Sequence, residues 1–243
     1  MLGLGTALIR LSGAPDDGVY KSASLDGTND YIQLGNIGTV RSFQIWFKPN
    51  TTLNSVTSTR RLVGFNSAGT GYYGIHISQA TGLFANETIT VLPGANSRTS
   101  DTQLLYSTNW YHLVIVWDGT VFQIYVNGVN TTVNDGNNGS TDTLPSFSSL
   151  RIGRDNSSTV DAFGGLVDEI ATWSSSLTAS EILSLYNSGY TLDARNDSGN
   201  YASSADLTGY WRCDDSNMLD VSTNSNNGTP INGVAFSDDT PAQ

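Results

Sequence analysis

Two adjacent acids, Asp168 and Glu169, are the residues of this sequence most suited to bond-breaking chemistry. Hydrolysis of a glycosidic bond needs two carboxyl groups on one face, about 5–5.5 Å apart when the sugar configuration is retained. The two acids lie in a stretch typical of a β-strand, in which neighbouring side chains point to opposite faces. The only other glutamates are Glu87 and Glu181, and the spacing around Glu181 assigns it to a helix cap. The sequence therefore predicts a protein that is not an enzyme, with glycoside hydrolysis as the least favoured function.

A second group of oxygen-bearing side chains, Asp26, Asn29 and Asp30, lies within one short loop. Calcium binds clustered carboxylate and carbonyl oxygens of this kind. The alternative is that Asp and Asn stand here because they form tight turns. Calcium is the one cofactor that the sequence suggests, and the turn alternative stays open beside it.

Aromatic side chains offer a further kind of site, because sugar rings stack on Trp and Tyr. Tyr72, Tyr73 and Trp211 are the aromatic residues whose surroundings look least like a core. Most aromatic side chains of a β-sandwich fill its interior, which is the competing interpretation for each of them. The sequence names these three as candidate ligand-binding residues.

Nucleophilic catalysis has little support in the remaining residues. His76 and His112 both fall inside strand patterns, where a structural role is more common than a catalytic one. Cys213 is the only cysteine, so no intramolecular disulfide is expected, and the residue suits a small buried apolar position. No nucleophile–base pair is predicted.

Charge and hydropathy limit the partners. The formal net charge of −11 argues against binding to nucleic acid or to an anionic membrane surface. No apolar run approaches the roughly 18 residues of a membrane-spanning helix. Residues 1–10 lack a basic start and Arg10 interrupts their apolar stretch, so no signal peptide is expected. Residues 1–18 are interpreted as an N-terminal arm, either unstructured or docked on a neighbouring subunit.

The candidate residues must be positioned by β-strands. Trp110–Trp117 and Val121–Val126 are rich in β-branched and aromatic residues, with Asp-Gly between them and Asn-Gly after the second, which predicts two successive hairpins. Asn96–Thr102 is predicted as a loop. Similar patterns predict further strands at Val19–Leu25, Asp30–Leu34, Arg41–Lys48, Arg60–Phe65, Tyr72–Ser78, Leu83–Phe84, Thr88–Leu92, Gln103–Tyr106, Val129–Val133, Leu150–Gly153, Gly164–Trp173 and Gly209–Cys213.

One short helix follows the last long strand. Thr178 and Glu181 have the spacing of a capping box, and Leu177 with Ile182 has that of a hydrophobic staple. Gly189 fits the left-handed position after the helix end. The fold class is therefore all-β, a two-sheet antiparallel jelly-roll sandwich with one short helix on the C-terminal side.

Several segments in the same order resemble a known family, the laminin-G-like jelly rolls of the concanavalin A-like lectin/glucanase superfamily. The similar segments span roughly residues 20–190 and are Ala23–Ile32, Phe43–Pro49, Trp110–Val114, Ile124–Gly128, Leu150–Gly153, Phe163–Ile170 and Leu177–Ile182. In relatives the opening strand runs near the one that here carries Asp168. The resemblance therefore implies that Asp168 joins Asp26, Asn29 and Asp30 as a calcium ligand.

The tail adds a second likeness. Leu207–Asp215 and Asp220–Thr229 resemble a segment of laminin-G-like virion proteins of tailed bacteriophages. The predicted organisation is the arm at 1–18 and one laminin-G-like sandwich at 19–243, with core motifs in 20–190 and a tail strand and turns in 191–243 packed on them.

The function that this resemblance implies is binding. The main expectation is a non-enzymatic structural protein of a tailed phage, as capsid decoration or a tail or fibre appendage. Its expected partners are other virion proteins, copies of itself in a homo-oligomer and a cell-surface glycan. It would be made in the host cytoplasm and located in the virion. The alternative is a calcium-dependent carbohydrate-binding adhesion domain.

Overall fold

The computed structural model describes residues 19–50, 59–65, 74–77, 88–92, 98–100, 109–133, 147–155 and 161–243. The predicted arm at 1–18, the strands predicted at 83–84 and 103–106, and both Tyr72 and Tyr73 lie outside the described residues. Within the described ranges, no helix is long and apolar enough to cross a membrane.

The described strands form two antiparallel sheets. The first sheet runs β10–β9–β8–β3–β13–β1–β16, with β14 also paired to β13. Its strands are β1 (Ser22–Asp26), β3 (Ser42–Pro49), β8 (Tyr111–Trp117), β9 (Phe122–Val126), β10 (Val129–Asn130), β13 (Gly164–Trp173), β14 (Leu207–Trp211) and β16 (Ala235–Ser237). The second sheet runs β11–β7–β6–β5–β4–β12–β2–β15. Its strands are β2 (Tyr31–Gly35), β4 (Arg60–Gly64), β5 (Gly74–Ile77), β6 (Ile89–Leu92), β7 (Arg98–Ser100), β11 (Thr132–Val133), β12 (Leu150–Ile152) and β15 (Thr229–Ile231). The predicted all-β jelly-roll sandwich is confirmed.

The main core lies between the two sheets. Strand β3 shows how the alternation places it: Phe43, Ile45 and Phe47 are buried in the interior, whereas Gln44 and Trp46 lie on the outer face of the first sheet. Burying one such aliphatic or aromatic side chain contributes about 1.5–3 kcal/mol. A slip of one residue would turn this whole set outward, so the interior fixes the strand register.

The central hairpins are confirmed. Asp118 Oδ1 accepts hydrogen bonds from the backbone N–H groups of Thr120 (2.8 Å) and Val121 (2.9 Å), which closes the turn between β8 and β9. Asn127 and Gly128 have φ values of 51° and 78° and join β9 to β10. Two successive positive φ values are what a tight hairpin turn of this length requires.

One α-helix, α1 (Ala179–Tyr186), covers the outer face of the first sheet. Its predicted capping box is present: Thr178 Oγ1 accepts from the Glu181 N–H at 3.3 Å, and Glu181 Oε2 accepts from the Thr178 N–H at 2.9 Å. The predicted cap at Gly189 is wrong. The helix ends at Asn187 (φ 46°), whose N–H bonds to the Leu183 carbonyl, because asparagine tolerates the left-handed region well enough to stop the helix earlier.

Two polar segments form strands that their composition did not predict. Strand β7 lies inside the predicted loop at 96–102 and pairs with β6 and β11. The turn-rich end of the chain supplies β15, which pairs with β2, and β16, which pairs with β1. Backbone pairing with an available sheet edge decides these strands, whereas side-chain preference contributes little to them.

Candidate functional site

The loop between β1 and β2 is organised by its own acids. Asp26 Oδ1 accepts from the backbone N–H groups of Thr28 (2.7 Å), Asn29 (3.2 Å) and Asp30 (3.5 Å). The hydrogen bond from Thr28 is the main reason that the pKa of Asp26 lies below its ordinary value. These contacts are those of the turn alternative, in which Asp shapes the backbone.

Asp30 behaves differently from Asp26. Its side chain is 4% exposed, and its Oδ2 accepts from the Asp26 N–H at 3.3 Å. Its Oδ1 has no hydrogen-bond partner among the described residues. Burial, followed by the nearby charge of Asp26, raises the pKa of Asp30. A buried oxygen without a donor is a group that a cation would satisfy.

This loop borders a pocket at the rim of the sandwich. We call it the rim pocket; it consists of two adjoining hollows of about 180 and 450 Å³ that share Asp26 and Asn50. The smaller hollow is completed by Gly27, Arg60, Ala162, Phe163 and Gly164, and the larger by Ser24, Leu25, Lys48, Pro49, Gly165 and Leu166. Residues with acidic, amide and basic side chains therefore line one opening.

Two glycines keep the rim pocket open. A Cβ on Gly164 would lie 2.7 Å from the Asn50 side-chain nitrogen, and one on Gly27 would lie 3.1 Å from the Gly164 Cα. Gly27 also has a φ of +76°, which favours glycine. Asn50 is held in place through its backbone N–H, which bonds to the Gly164 carbonyl at 3.1 Å. Bare backbone at Gly27 and Gly164 therefore forms part of the pocket lining, close to Asn50.

The predicted calcium set is only partly brought together. Asp26, Asn29 and Asp30 share the loop, and Asp26 lies opposite Gly164 in the pairing of β1 with β13. Asp168 is four residues further along β13, a separation of about 13 Å for extended backbone. Among the described residues, no three His, Cys, Asp or Glu side chains gather as a metal site.

The sequence-based statement that Asp168 and Glu169 point to opposite faces is wrong. Asp168 lies opposite Trp46 and Ala171 lies opposite Gln44, so three steps along β13 match two along β3. This one-residue excess is a β-bulge, centred on Glu169 with φ 47°. A bulge interrupts the strict alternation of a strand, and both acids consequently face the charges of Arg212 and Asp214.

Side chains of neighbouring strands stabilise the bulge. Gln44 Nε2 donates to the Glu169 carbonyl at 3.2 Å, and the Gln44 side-chain oxygen lies 3.0 Å from His112 Nε2. Complete burial lowers the pKa of His112 to about 3, so its ring is neutral at ordinary pH. A single hydrogen-bonded chain thus links β8, β3 and the bulged strand.

The two acids are enclosed. Tyr210 donates its phenolic hydrogen to Glu169 Oε2, and Arg212 Nε lies 3.2 Å from Glu169 Oε1. Burial raises the pKa of Glu169 to about 7, although the charge of Arg212 opposes the rise. Burial and the charge of Glu169 raise the pKa of Asp168 well above its usual range. With exposures of 1% and 2%, neither acid has a surface for a substrate to reach, and the cluster instead ties β14 and the residues after it to β13.

The aromatic predictions divide in two. Tyr72 and Tyr73 lie outside the described residues. Trp211, predicted as a ligand-binding platform, is 0% exposed within the main core, and its Nε1 donates to the Asn226 carbonyl at 2.9 Å. That prediction is wrong, because the tail folds back over β14 and encloses the indole ring.

Sequence reasoning missed four residues of the rim. Lys48, Asn50 and Arg60 line the rim pocket, and Trp110, the residue before β8, shares the Asp239 carboxylate with Lys48. No sequence motif marks these residues, because single Lys, Asn and Arg residues at strand ends are common. The one available signal was the pair Gly164-Gly165 at the start of β13, because glycine at a strand start indicates close approach of another backbone or a ligand.

Comparison with known proteins agrees with this architecture. The laminin-G-like family profile of the Concanavalin A-like lectin/glucanases superfamily matches residues 26–183. Among curated proteins, none matches the chain.

Solved structures of similar fold include the following three proteins from different organisms. A putative carbohydrate binding protein from Bacteroides ovatus is 20% identical with a TM-score of 0.62; the alignment covers 93% of this chain and 62% of that one, so this chain spans less than two thirds of its length. The heptameric SAP-like pentraxin from Limulus polyphemus is 14% identical with a TM-score of 0.56, over 89% and 94% of the two chains. Domain 4 of a GH43 extracellular arabinanase from Geobacillus stearothermophilus, in complex with arabinotriose, is 21% identical with a TM-score of 0.50, over 73% and 84%.

The profile covers more than half of the chain, and the two-sheet fold with its capped helix agrees with it. The chain belongs to the laminin-G-like family of the concanavalin A-like lectin/glucanases superfamily.

Proposed function

We propose that this chain binds carbohydrate in the rim pocket without cleaving it. The observation that carries the proposal is that Asp26, Asn50 and Arg60, together with two glycines, line one hollow open to solvent. Sugar hydroxyls both donate and accept hydrogen bonds, so a carboxylate, an amide and a guanidinium together match them. The larger hollow, about 450 Å³, falls within the usual size range of small-molecule sites.

The absence of cleavage is part of the proposal. The adjacent acids Asp168 and Glu169 are buried within the first sheet and do not line the pocket, and Glu169 is already bound by Tyr210 and Arg212. Asp26 is the acid of the rim pocket, and its Oδ1 is committed to backbone N–H groups. Neither arrangement offers the paired, accessible carboxyl groups that hydrolysis requires.

The test is calorimetric titration of the whole chain with neutral oligosaccharides, beginning with arabinotriose and extending to a glycan array. Asn50→Ala removes a pocket amide and should reduce the affinity for the best ligand at least tenfold. Asn200→Ala, an exposed asparagine on a turn outside the pocket, is the matched control and should bind like the wild type. Equal affinity of all three proteins for the ligand would place binding elsewhere and end the proposal.

We further propose that calcium supports this site through the β1–β2 loop. Asp30 Oδ1 is buried without a donor, and Asp26 and Asn29 lie in the same loop. These side chains fit a cation only in part, since calcium takes six to eight oxygens and the remainder would come from backbone carbonyls and water. Asp168 does not belong to this set, because it lies on β13 four residues beyond Gly164, the residue opposite Asp26. Asp30→Asn should remove any calcium-dependent rise in melting temperature, and a rise that persists in this variant would exclude the loop.

The virion role, the homo-oligomer and the phage partners stay predictions of the sequence resemblance. The fold shared with the Bacteroides protein and the arabinanase domain supports the carbohydrate-binding alternative more directly. Sedimentation of the purified chain, alone and with phage particles, is the measurement that would support the virion role.

A further inference from the structure

The chain has only two lysines, Lys21 and Lys48, and both are bound by adjacent acids near its C-terminus. Lys21 Nζ pairs with Asp238, and Lys48 Nζ lies 2.5 Å from Asp239 Oδ2. These acids follow β16, within a segment that we call the C-terminal strap, residues 229–243. The strap crosses the rim of the sandwich, pairing through β15 with one sheet and through β16 with the other.

The contacts of Asp239 are those of a carboxylate in a two-donor site. Its Oδ2 accepts a hydrogen bond from Lys48 Nζ, and its Oδ1 accepts one from the indole N–H of Trp110 at 3.0 Å. Phe47 lies opposite Tyr111, the last recorded pair of β3 with β8, and Lys48 and Trp110 are the residues next to that pair in the two segments. The two donors are therefore positioned by the sheet, whereas the carboxylate is supplied from the strap.

Lys48 also lines the larger hollow of the rim pocket, with Asn50 and Ser24. We propose that Lys48 and Trp110 form a subsite for the carboxylate of an acidic sugar, and that Asp239 occupies this subsite until such a ligand displaces it. The inference rests on the proposed function, because the ring of the sugar would lie in the rim pocket while its carboxylate reaches Lys48. It names the ligand class as glycans that contain uronic acids.

The strap is held loosely enough for such an exchange. The Asp239 side chain is 45% exposed, and β16 contributes half-buried or exposed side chains. We call the state with Asp239 bound to Lys48 the closed form and the state with Asp239 released the open form. An exposed ion pair of this kind makes the closed form more populated than the open form by a factor of only about 1.4 to 5. A ligand that needs the open form loses apparent affinity by one plus that ratio, so removing the internal carboxylate should raise its affinity about two- to sixfold.

The experiment follows the Trp110 indole N–H signal of the full chain by nuclear magnetic resonance during titration with sodium glucuronate. Titration with glucose is the neutral comparison. Asp239→Ala should increase the apparent affinity for glucuronate about two- to sixfold over the wild type. Asp238→Ala is the matched control: it removes the same charge from the next residue, which pairs with Lys21 outside the pocket, and should leave the affinity unchanged. Lys48→Met in the Asp239→Ala background should abolish the glucuronate-dependent shift.

Three results would overturn the inference. The first is an equal gain in both aspartate variants, which would be an effect of net charge alone. The second is a Trp110 signal in Asp239→Ala that glucuronate does not move, or that glucose moves equally. The third is a shift caused by a synthetic peptide of residues 235–243 but not by glucuronate, which would make the subsite a strap-docking contact only. Failure of the carbohydrate proposal gives a different result. Asn50→Ala would then leave the affinity for neutral oligosaccharides unchanged, while glucuronate still moves the Trp110 signal.

Discussion

The buried Glu169 makes the stability of this protein depend on pH in an unusual direction. Its pKa rises from 4.5 to about 7 on folding, mainly because burial penalises the charged form. Between these values the folded protein holds a proton that the unfolded chain has released. The free energy of unfolding must therefore fall as pH rises through this window, which is the reverse of what a carboxylate with a lowered pKa does.

The size of the effect follows from the two pKa values. A group that titrates at 4.5 when unfolded and near 7 when folded lowers the free energy of unfolding by about 2 to 3 kcal/mol between pH 5 and pH 8. Starting at pH 5 keeps the protein above its isoelectric point of about 4.3. Asp168, whose pKa burial also raises, adds to the slope in the same direction.

The perturbation is Glu169→Gln, which keeps the shape of the side chain and removes its titration. Urea unfolding followed by tryptophan fluorescence at pH 5, 6, 7 and 8 gives the free energy of unfolding of both proteins. The wild type should lose about 2 to 3 kcal/mol relative to the variant across this range. The slope due to Asp168 does not cancel fully, because the charge of Glu169 also helps to raise the pKa of Asp168; its partial loss in the variant adds to the difference.

Glu181→Gln is the control with the opposite sign. Burial alone would raise the pKa of Glu181, but hydrogen bonds from Ser203 and Thr178 lower it overall. Its stabilising contribution is therefore present above pH 4.5 and is lost only as pH falls below that value. A wild-type minus Glu169→Gln difference that is flat or rises between pH 5 and 8 would refute the reasoning, because it would mean that the ion pair with Arg212 outweighs the cost of burial.

Three further predictions concern the rim pocket and the helix. Gly164→Ala places a methyl group against Asn50 and should destabilise the fold by about 1–3 kcal/mol while reducing oligosaccharide affinity, both measurable on one preparation by thermal unfolding and calorimetry. Thr178→Ala removes the capping-box hydroxyl and should cost about 1 kcal/mol of unfolding free energy in urea; no loss would mean that the cap is redundant. Asn187→Gly relieves a left-handed backbone and should stabilise by about 0.5 kcal/mol, whereas a loss would show that the asparagine side chain itself holds the helix end.

Local chemistry along the sequence was sufficient for the long strands, their turns and the start of the helix. Asn127 and Gly128 specify a tight turn through their own backbone preferences, and Thr178 with Glu181 satisfies a helix start within four residues. The alternation in β3 likewise assigns Phe43 to the interior. Each of these depends on neighbours close in sequence, so each was predictable.

Tertiary structure alone decided where the chemistry lies. The bulge at Glu169 appears only when β13 is paired with β3, and it brings two acids together that strand alternation would separate. Trp211 is buried because the tail returns over it, and Lys48 meets Asp239 across 191 residues of sequence. Sequence patterns reflect regular strands and residues that are close in the sequence. The rim pocket, the buried acids and the strap all arise from contacts between segments distant in the sequence, which no local pattern encodes.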